Sequence, residues 1–430
     1  TGDASFARVA ASTLEYVARD LTRPGGGFYS AEDADSVPPE QAGDPRAHGS
    51  EGAFYVWTAE EVKQLLGEDA ALACARFGIR EHGNVESDPH GELAGKNVLC
   101  LARTLEELTG SSRQAGSVAA RLDDVRRRLF AARAKRPRPG LDDKVIVAWN
   151  GLMVAAFARA ARVLAHSEAH AEASADWLRH AQQAASFIRA TMWQPGRGVL
   201  LRRFRDGHAG IEGYAEDFAC LVFGLLELFQ ADGNPDWLEW ASELQRRQDE
   251  LFWDERGGGW FNTTGNDASV LLRIKEDYDG AEPAASSVSL FNALTLARLT
   301  GPSDVHARIA RTFESFAGQL RGTPRAVPMM LAALSVWRSS PQEIAIVGSA
   351  GSQDTKALLA AVAFSYLPAA VVVPVDPGCQ AALSRLLPFV ESMTMLDGRA
   401  TAYVCRDFAC NRPTTEPYEV QEHIRRTAVE

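Results

Sequence analysis

The sequence predicts a mainly α protein: a toroid of helical hairpins over residues 1–338, then a small α/β domain over 341–430. Three observations carry this expectation. First, apolar residues recur at helical spacing. "EDFACLVFGLLELFQ" puts Phe218, Leu221, Val222, Leu225 and Phe229 on one helix face, and "DWLEWASELQRRQDELFW" does the same with Trp237, Trp240, Ala241, Leu244 and Leu251. "WNGLMVAAFARAARVL" is apolar nearly all round, as a helix buried on several sides should be. Second, a glycine turn recurs. "RPGGGFYS" (23–30), "QPGRGVLL" (194–201) and "DERGGGWFN" (254–262) each precede residues that read as short strands or hairpins, with "EGAFYVWT" (51–58) a shorter relative. Acidic patches follow these turns. Helix, helix, glycine turn and acidic patch, repeated, is how a toroid of hairpins looks in sequence; an irregular helical bundle is the alternative.

The third observation is a change of pattern near Pro341. "EIAIVGS" (343–349) and "AAVVVPVD" (369–376) read as buried strands on either side of a helix, and "ATAYVC" (400–405) as another. Strand, helix, strand implies a parallel pair with a crossover. "VGSAGSQDT" lacks the spacing and the lysine of a phosphate-binding loop, so a plain strand-to-helix turn is the reading taken.

The chain has 430 residues, long enough for two domains, and an ordinary 46% apolar share. A formal charge of −11 argues against nucleic acid or an anionic membrane as a main partner. The apolar run at 357–375 is interrupted by Pro368 and Pro374, which fits a buried helix and strand better than a membrane span. Six scattered cysteines fit a reducing compartment, so a soluble, cytoplasmic protein is expected. Cys405 and Cys410 in "CRDFAC" read as two reduced thiols, with a redox pair second. No metal spacing is present, and neither a metal nor a cofactor is expected. The first residues, "TGDASFARVA", start partway into a helical pattern without Met or a signal segment, as a piece of a longer chain would.

Four acidic clusters carry the candidate chemistry: Glu32, Asp33 and Asp35; Asp142 and Asp143; Glu216 and Asp217; and Glu276, Asp277, Asp279 and Glu282 in "KEDYDGAEPAASS". Carboxylates just ahead of a helix are stabilised by its dipole, and that plain explanation serves any single cluster. Aromatics and amides accompany them, however: Tyr29, Trp149 with Asn150, Tyr214 and Tyr278. Acids accept from hydroxyls and rings stack on pyranose faces, so the combination suits a saccharide. Glycoside cleavage needs one protonated and one ionised carboxyl group. Glu282, just before Pro283 at the expected helix start, should stay ionised and suits a base. Asp277, in the preceding loop, is the candidate acid.

Several stretches together resemble the spermatogenesis-associated protein 20 family: "GGGFYSAEDADS", "EGAFYVWT", "GELAGKNVL", "LDDKVIVAWNGLM", "EDYDGAEPAASSVS" and "TAYVCRDFAC". The resemblance runs from about residue 25 to 418. It implies a thioredoxin-like domain, a helical (α/α)6-type toroid similar to six-hairpin glycosidases and N-acylglucosamine 2-epimerases, and a C-terminal segment. Here the thioredoxin-like domain and the first toroid hairpin are missing, so the toroid is expected to be incomplete at its N-terminal side. Carried over as cavity lining are Asp33, Asp35, Lys96, Asn97, Asp142, Lys144, Trp149, Asn150, Glu216, Asp217, Asp277, Asp279 and Glu282. Asp277, Glu282, Asp33 and Asp217 form the catalytic set, and Tyr278 joins the others as substrate-binding. Three readings compete: a carbohydrate-active protein hydrolysing or isomerising a small saccharide with paired carboxylates, a non-catalytic ligand-binding or scaffold module accompanying a thioredoxin-like domain, and a sugar 2-epimerase, which the scarcity of histidines disfavours.

Overall fold

The computed structural model describes residues 3–88, 91–109, 112–266, 269–301, 305–407 and 409–426. In chain order the elements are α1 (Ala4–Asp20), β1 (Ala31–Glu32), β2 (Asp35–Ser36), β3 (Ser50–Glu51), α2 (Ala59–Leu66), α3 (Ala70–Phe77), α4 (Leu105–Thr109), α5 (Ser112–Arg133), β4 (Leu141–Asp142) and β5 (Val145–Ile146). Next come α6 (Val147–Leu164), α7 (Ala171–Thr191), β6 (Trp193–Gln194), β7 (Val199–Arg205), β8 (His208–Glu212), α8 (Ala215–Asp232), α9 (Pro235–Phe252), α10 (Ala285–Thr300), α11 (Val305–Ser315), α12 (Ala317–Gly322) and α13 (Pro328–Arg338). The chain ends in β9 (Gln342–Val347), α14 (Gln353–Ala363), β10 (Val371–Val375), α15 (Gln380–Leu386), β11 (Thr401–Arg406), β12 (Ala409–Cys410) and α16 (Pro417–Arg426). The class is mainly α, with helical hairpins, as the periodicity predicts.

Two compact units share this order: residues 1–30 with 144–430, and residues 31–143. The division therefore falls elsewhere than at residue 340. Residues 31–143 enter the chain between the first glycine turn and α6. The α/β segment stays with the helices because one face of its sheet shares their core. Ala345, Val347, Val371, Val373, Val375, Tyr403 and Cys405 belong to the same buried cluster as Leu225 and Phe229 of α8. Gln230 of α8 also accepts the Val372 amide at 3.1 Å.

Within the larger unit, α6, α8, α10 and α13 pack side by side. Short connections send α7, α9 and α11 back antiparallel to the helices before them. Gly233, at φ 70°, and the Asn234–Pro235 start turn the chain from α8 into α9. The predicted apolar faces are buried: Phe218, Leu221, Val222, Leu225 and Phe229 are all at most 1% exposed. α6 is covered by α1, α7 and α8, which explains its all-round apolar sequence. All three glycine turns close a short antiparallel pair, as expected: Thr22 with Phe28, β6 with β7, and Trp253 with Trp260. Gly26 shows why glycine is needed, since a Cβ there would lie 2.5 Å from the Gln183 carbonyl oxygen.

The C-terminal sheet has the order β10-β9-β11-β12, with β9 and β10 parallel and α14 crossing between them. Alternate residues face two ways: Ile344, Ile346, Val372 and Val404 pack against Leu358, Val420 and Ile424 of α14 and α16. The "VGSAGSQDT" turn is closed by carboxylates, with Asp376 accepting the Ala350 amide and Asp354 the Thr355 and Ala400 amides. The expectation of reduced thiols at Cys405 and Cys410 is corrected: they are disulfide-bonded. The β11–β12 hairpin makes them ladder partners, a proximity that spacing alone did not reveal.

In the smaller unit α2, α3 and α5 enclose a separate core of Val62, Leu66, Ala73, Val125 and Leu129. Thr58 and Glu61 form a reciprocal capping box that starts α2. Arg136 lies over the Trp57 ring at 3.9 Å and donates to the Phe54 and Val56 carbonyls.

Candidate functional site

The four parallel helices α6, α8, α10 and α13 bring their N-terminal ends to one side of the larger unit, and carboxylates tie those ends together. Asp217, in the first turn of α8, is fully buried. Its Oδ1 accepts the Ala148 amide at the start of α6 at 3.2 Å; its Oδ2 accepts the Tyr214 amide at 2.9 Å and the Arg202 guanidinium at 2.8 Å. Burial pushes its carboxyl up to about 6, against the pull of Arg202. Asp279 makes the equivalent tie, accepting Ala284 ahead of α10 at 2.9 Å and Met329 and Met330 at the start of α13 at 2.8 and 3.3 Å. Carboxylates gather here because positive helix ends and unsatisfied N–H groups gather here.

These two residues are consumed by the scaffold, and so is Asn150. It is 2% exposed, accepts the Phe28 amide at 2.7 Å and donates to the Phe28 and Ile146 carbonyls. Its whole amide pins the glycine turn to α6. Lys144 presents its backbone carbonyl to the Ser30 hydroxyl at 2.8 Å.

What remains open to solvent is a second layer. Glu282 accepts the Trp149 indole N–H at 2.9 Å. Trp149 and Tyr214 are each 42% exposed and Tyr278 is 58% exposed. Arg202 stacks on the Tyr214 ring at 5.0 Å and pairs with Glu216 as well as Asp217. Gly280 makes room for Tyr278, because a Cβ there would lie 2.8 Å from its ring. Glu276 holds its proton more tightly than an ordinary glutamate. Partial burial is the first cause, and the charges of Glu216, Glu282, Asp279 and Asp277 add to it.

Asp277 and Glu276 are both exposed, and Asp277 accepts the Gln319 amide at 2.8 Å. Glu276 also faces the charges of Glu216 and Glu282. Sequence reasoning passed over Glu276 because it relied on loop position, whereas the shift comes first from partial desolvation and then from charges such as Glu216, some sixty positions away. Arg202 was also missed; a cation aligned with "YAED" across a β-hairpin was its only signal. α10 begins at Ala285 behind an Ala284 cap, so Glu282 and Pro283 lie ahead of the helix instead of at its first turn.

The remaining predicted residues belong to the smaller unit. Asp33 accepts the Asp35 amide at 3.1 Å, and Asp35 pairs with Glu51 in the β2–β3 ladder. Asp142 pairs with Ala31 between β4 and β1. Lys96 forms an ion pair with Glu40 at 3.3 Å. Asn97 is fully buried, bridges Trp57 through both backbone groups, and closes its side chain on Arg80 and Trp57. Asn97→Ala is expected to destabilise this unit by about 2–3 kcal/mol, since buried backbone groups lose their partners. Urea denaturation followed by fluorescence of the packed Trp57 would measure it. Among the described residues no group of three or more His, Cys, Asp or Glu could hold a metal ion.

Over 445 aligned residues the chain is 40% identical to spermatogenesis-associated protein 20 of Homo sapiens and of Mus musculus, covering 98% of this chain and 55% of each relative. The chain thus spans about half the length of the curated relatives it matches. No family model matches it. Among solved structures, a glycoside hydrolase family 76 mannosidase from Bacteroides thetaiotaomicron aligns at 11% identity and a TM-score of 0.34, over 84% of this chain and 80% of that one. The cellobiose 2-epimerase from Spirochaeta thermophila aligns at 14% identity and a TM-score of 0.32, over 42% of this chain and 44% of that one. Likenesses at these scores carry no functional argument.

Proposed function

We propose that the chain is a member of the spermatogenesis-associated protein 20 family and that the face at the N-terminal ends of α6, α8 and α10 binds a small polyhydroxylated ligand of the saccharide class. Glu276 and Glu282 would be the pair able to act on it, by glycoside hydrolysis or sugar isomerisation. The observation that carries this reading is the contrast between them. Glu276, exposed but partly desolvated and beside other carboxylates, holds its proton more tightly than an ordinary glutamate, while Glu282 accepts a hydrogen bond from Trp149. Two carboxyl groups in different surroundings are what acid–base chemistry on a glycosidic bond requires. Trp149, Tyr214 and Tyr278 supply partly exposed rings for sugar faces, and Glu216 supplies an acceptor for hydroxyls.

The same face discriminates by charge. Glu216, Glu276, Asp277 and Glu282 outnumber Arg202, whose guanidinium is already shared between Glu216 and Asp217. Neutral or amino sugars are therefore the expected class, and sugar phosphates and uronic acids the excluded one.

A second reading has an observation of its own. Asp217 and Asp279 serve as ties between helix ends, which suits a non-catalytic ligand cradle within a longer protein that includes a thioredoxin-like domain. Saccharide-induced thermal shifts and product analysis on Glu276→Gln and Glu282→Gln separate the two. An enzyme loses turnover about 100-fold or more in Glu276→Gln while keeping ligand binding within a few-fold. A cradle shows binding without turnover in the parent protein. If no neutral or amino saccharide shifts the melting of the full-length protein, the saccharide assignment fails.

A further inference from the structure

One reactive pair lies outside the carboxylate face. Cys405 and Cys410 are joined across the β11–β12 hairpin, their Cα atoms 3.8 Å apart. β12 is two residues long and pairs only at Cys405–Cys410 and Arg406–Ala409, beside an Asn411 amide donated to Val404 at 2.9 Å. The disulfide is thus the covalent fastening of the sheet's edge. Its two ends differ in access. Cys405 is 4% exposed and belongs to the core shared with the helices, whereas Cys410 is exposed. Thiolate attack on a disulfide needs an open line to one sulfur, and solvent offers that line at Cys410.

We propose that Cys405–Cys410 is a thiol–disulfide exchange site whose co-substrate is a dithiol reductant, with Cys410 the sulfur attacked. The reductant's thiolate bonds to Cys410 Sγ as the S–S bond breaks, and Cys405 leaves as a thiolate that takes a proton from water. The reductant's second thiolate then attacks the reductant's first sulfur in the mixed disulfide and releases Cys410 as a thiolate, which is protonated in turn. The reductant ends as a disulfide, and two electrons and two protons have passed to the protein. β12 is then held by backbone bonds alone. Cys100 and Cys379 are exposed free thiols, and Cys74 and Cys220 are free as well, so the site is set apart by pairing and not by exposure.

Dithiothreitol, glutathione disulfide and the intact protein suffice for the test. Protein purified without reductant, then denatured, should present four thiols before dithiothreitol and six after it. Reduction of the folded protein should speed hydrogen exchange at the Asn411 amide about tenfold or more, because the loop constraint is gone. In Cys405→Ser, glutathione disulfide should modify Cys410; in Cys410→Ser, Cys405 should stay unmodified until the protein is denatured. Six thiols before reduction, unchanged exchange at Asn411, or modification of Cys405 in the folded protein would each overturn the proposal. The first two measurements use the parent chain, so a variant that fails to fold leaves the question decidable.

Discussion

Gly151→Ala is expected to destabilise the helical unit by at least about 3 kcal/mol, although alanine is the better helix former by about 1 kcal/mol. α6 and α8 cross with their backbones nearly touching. A Cβ at Gly151 would lie 2.3 Å from the Cys220 carbonyl oxygen, and one at Gly224 would lie 2.4 Å from the Gly151 carbonyl oxygen. The obstruction is backbone on both sides, so no side chain can swing away. The two helices would have to separate, and with them Asp217, which holds the start of α6 to α8. Gly116, exposed within α5 with nothing within 4 Å of its missing Cβ, is the control. Gly116→Ala should stabilise its unit by about 0.5–1 kcal/mol. Urea midpoints for the two variants should therefore move in opposite directions. A Gly151→Ala midpoint equal to that of the parent would refute the close crossing.

Arg202→Met should cost about 3–5 kcal/mol at pH 8 and visibly less at pH 5, because it leaves Asp217 charged and buried without its cation. The direction with pH follows from linkage. The folded Asp217 carboxyl titrates near 6 against an ordinary 3.8, so between those values the folded state binds the proton more tightly than the unfolded chain. This group's contribution therefore makes stability fall as pH rises from about 3.8 to 6 and level off above, by about 3 kcal/mol in the parent. Without Arg202 the folded value climbs, and the window of falling stability extends upward. Melting temperatures from pH 4 to 8 would show it. An equal penalty at pH 5 and pH 8 would mean that Arg202 acts through packing on Tyr214 and not through charge.

Much of this architecture was legible in the residues themselves. The spacing of Phe218, Leu221, Val222, Leu225 and Phe229 gave a buried helix face because helical periodicity is local and strong. The glycine clusters gave turns that close short strand pairs, because a positive φ is a local demand. Local signals served less well for the carboxylates. Asp217 and Asp277 look alike in sequence, each an acid within three residues of a tyrosine. One is sealed between two helix starts and the other is open to water. Glu276 gains its tighter proton from partial desolvation and then from Glu216 and Glu282, and Cys405 its partner from a hairpin register. Each depends on which segments fold back to meet.

By itself, then, the sequence determined the mainly α class, the helical faces, the turn positions and the strand–helix–strand close, all consequences of short-range periodicity and local backbone preference. Only the tertiary structure decided which acids are structural ties and which remain available to a ligand. The reason is physical: a carboxylate's role depends on the donors and charges within a few ångströms of it, and at the meeting of four helix ends those come from residues tens to more than a hundred positions apart.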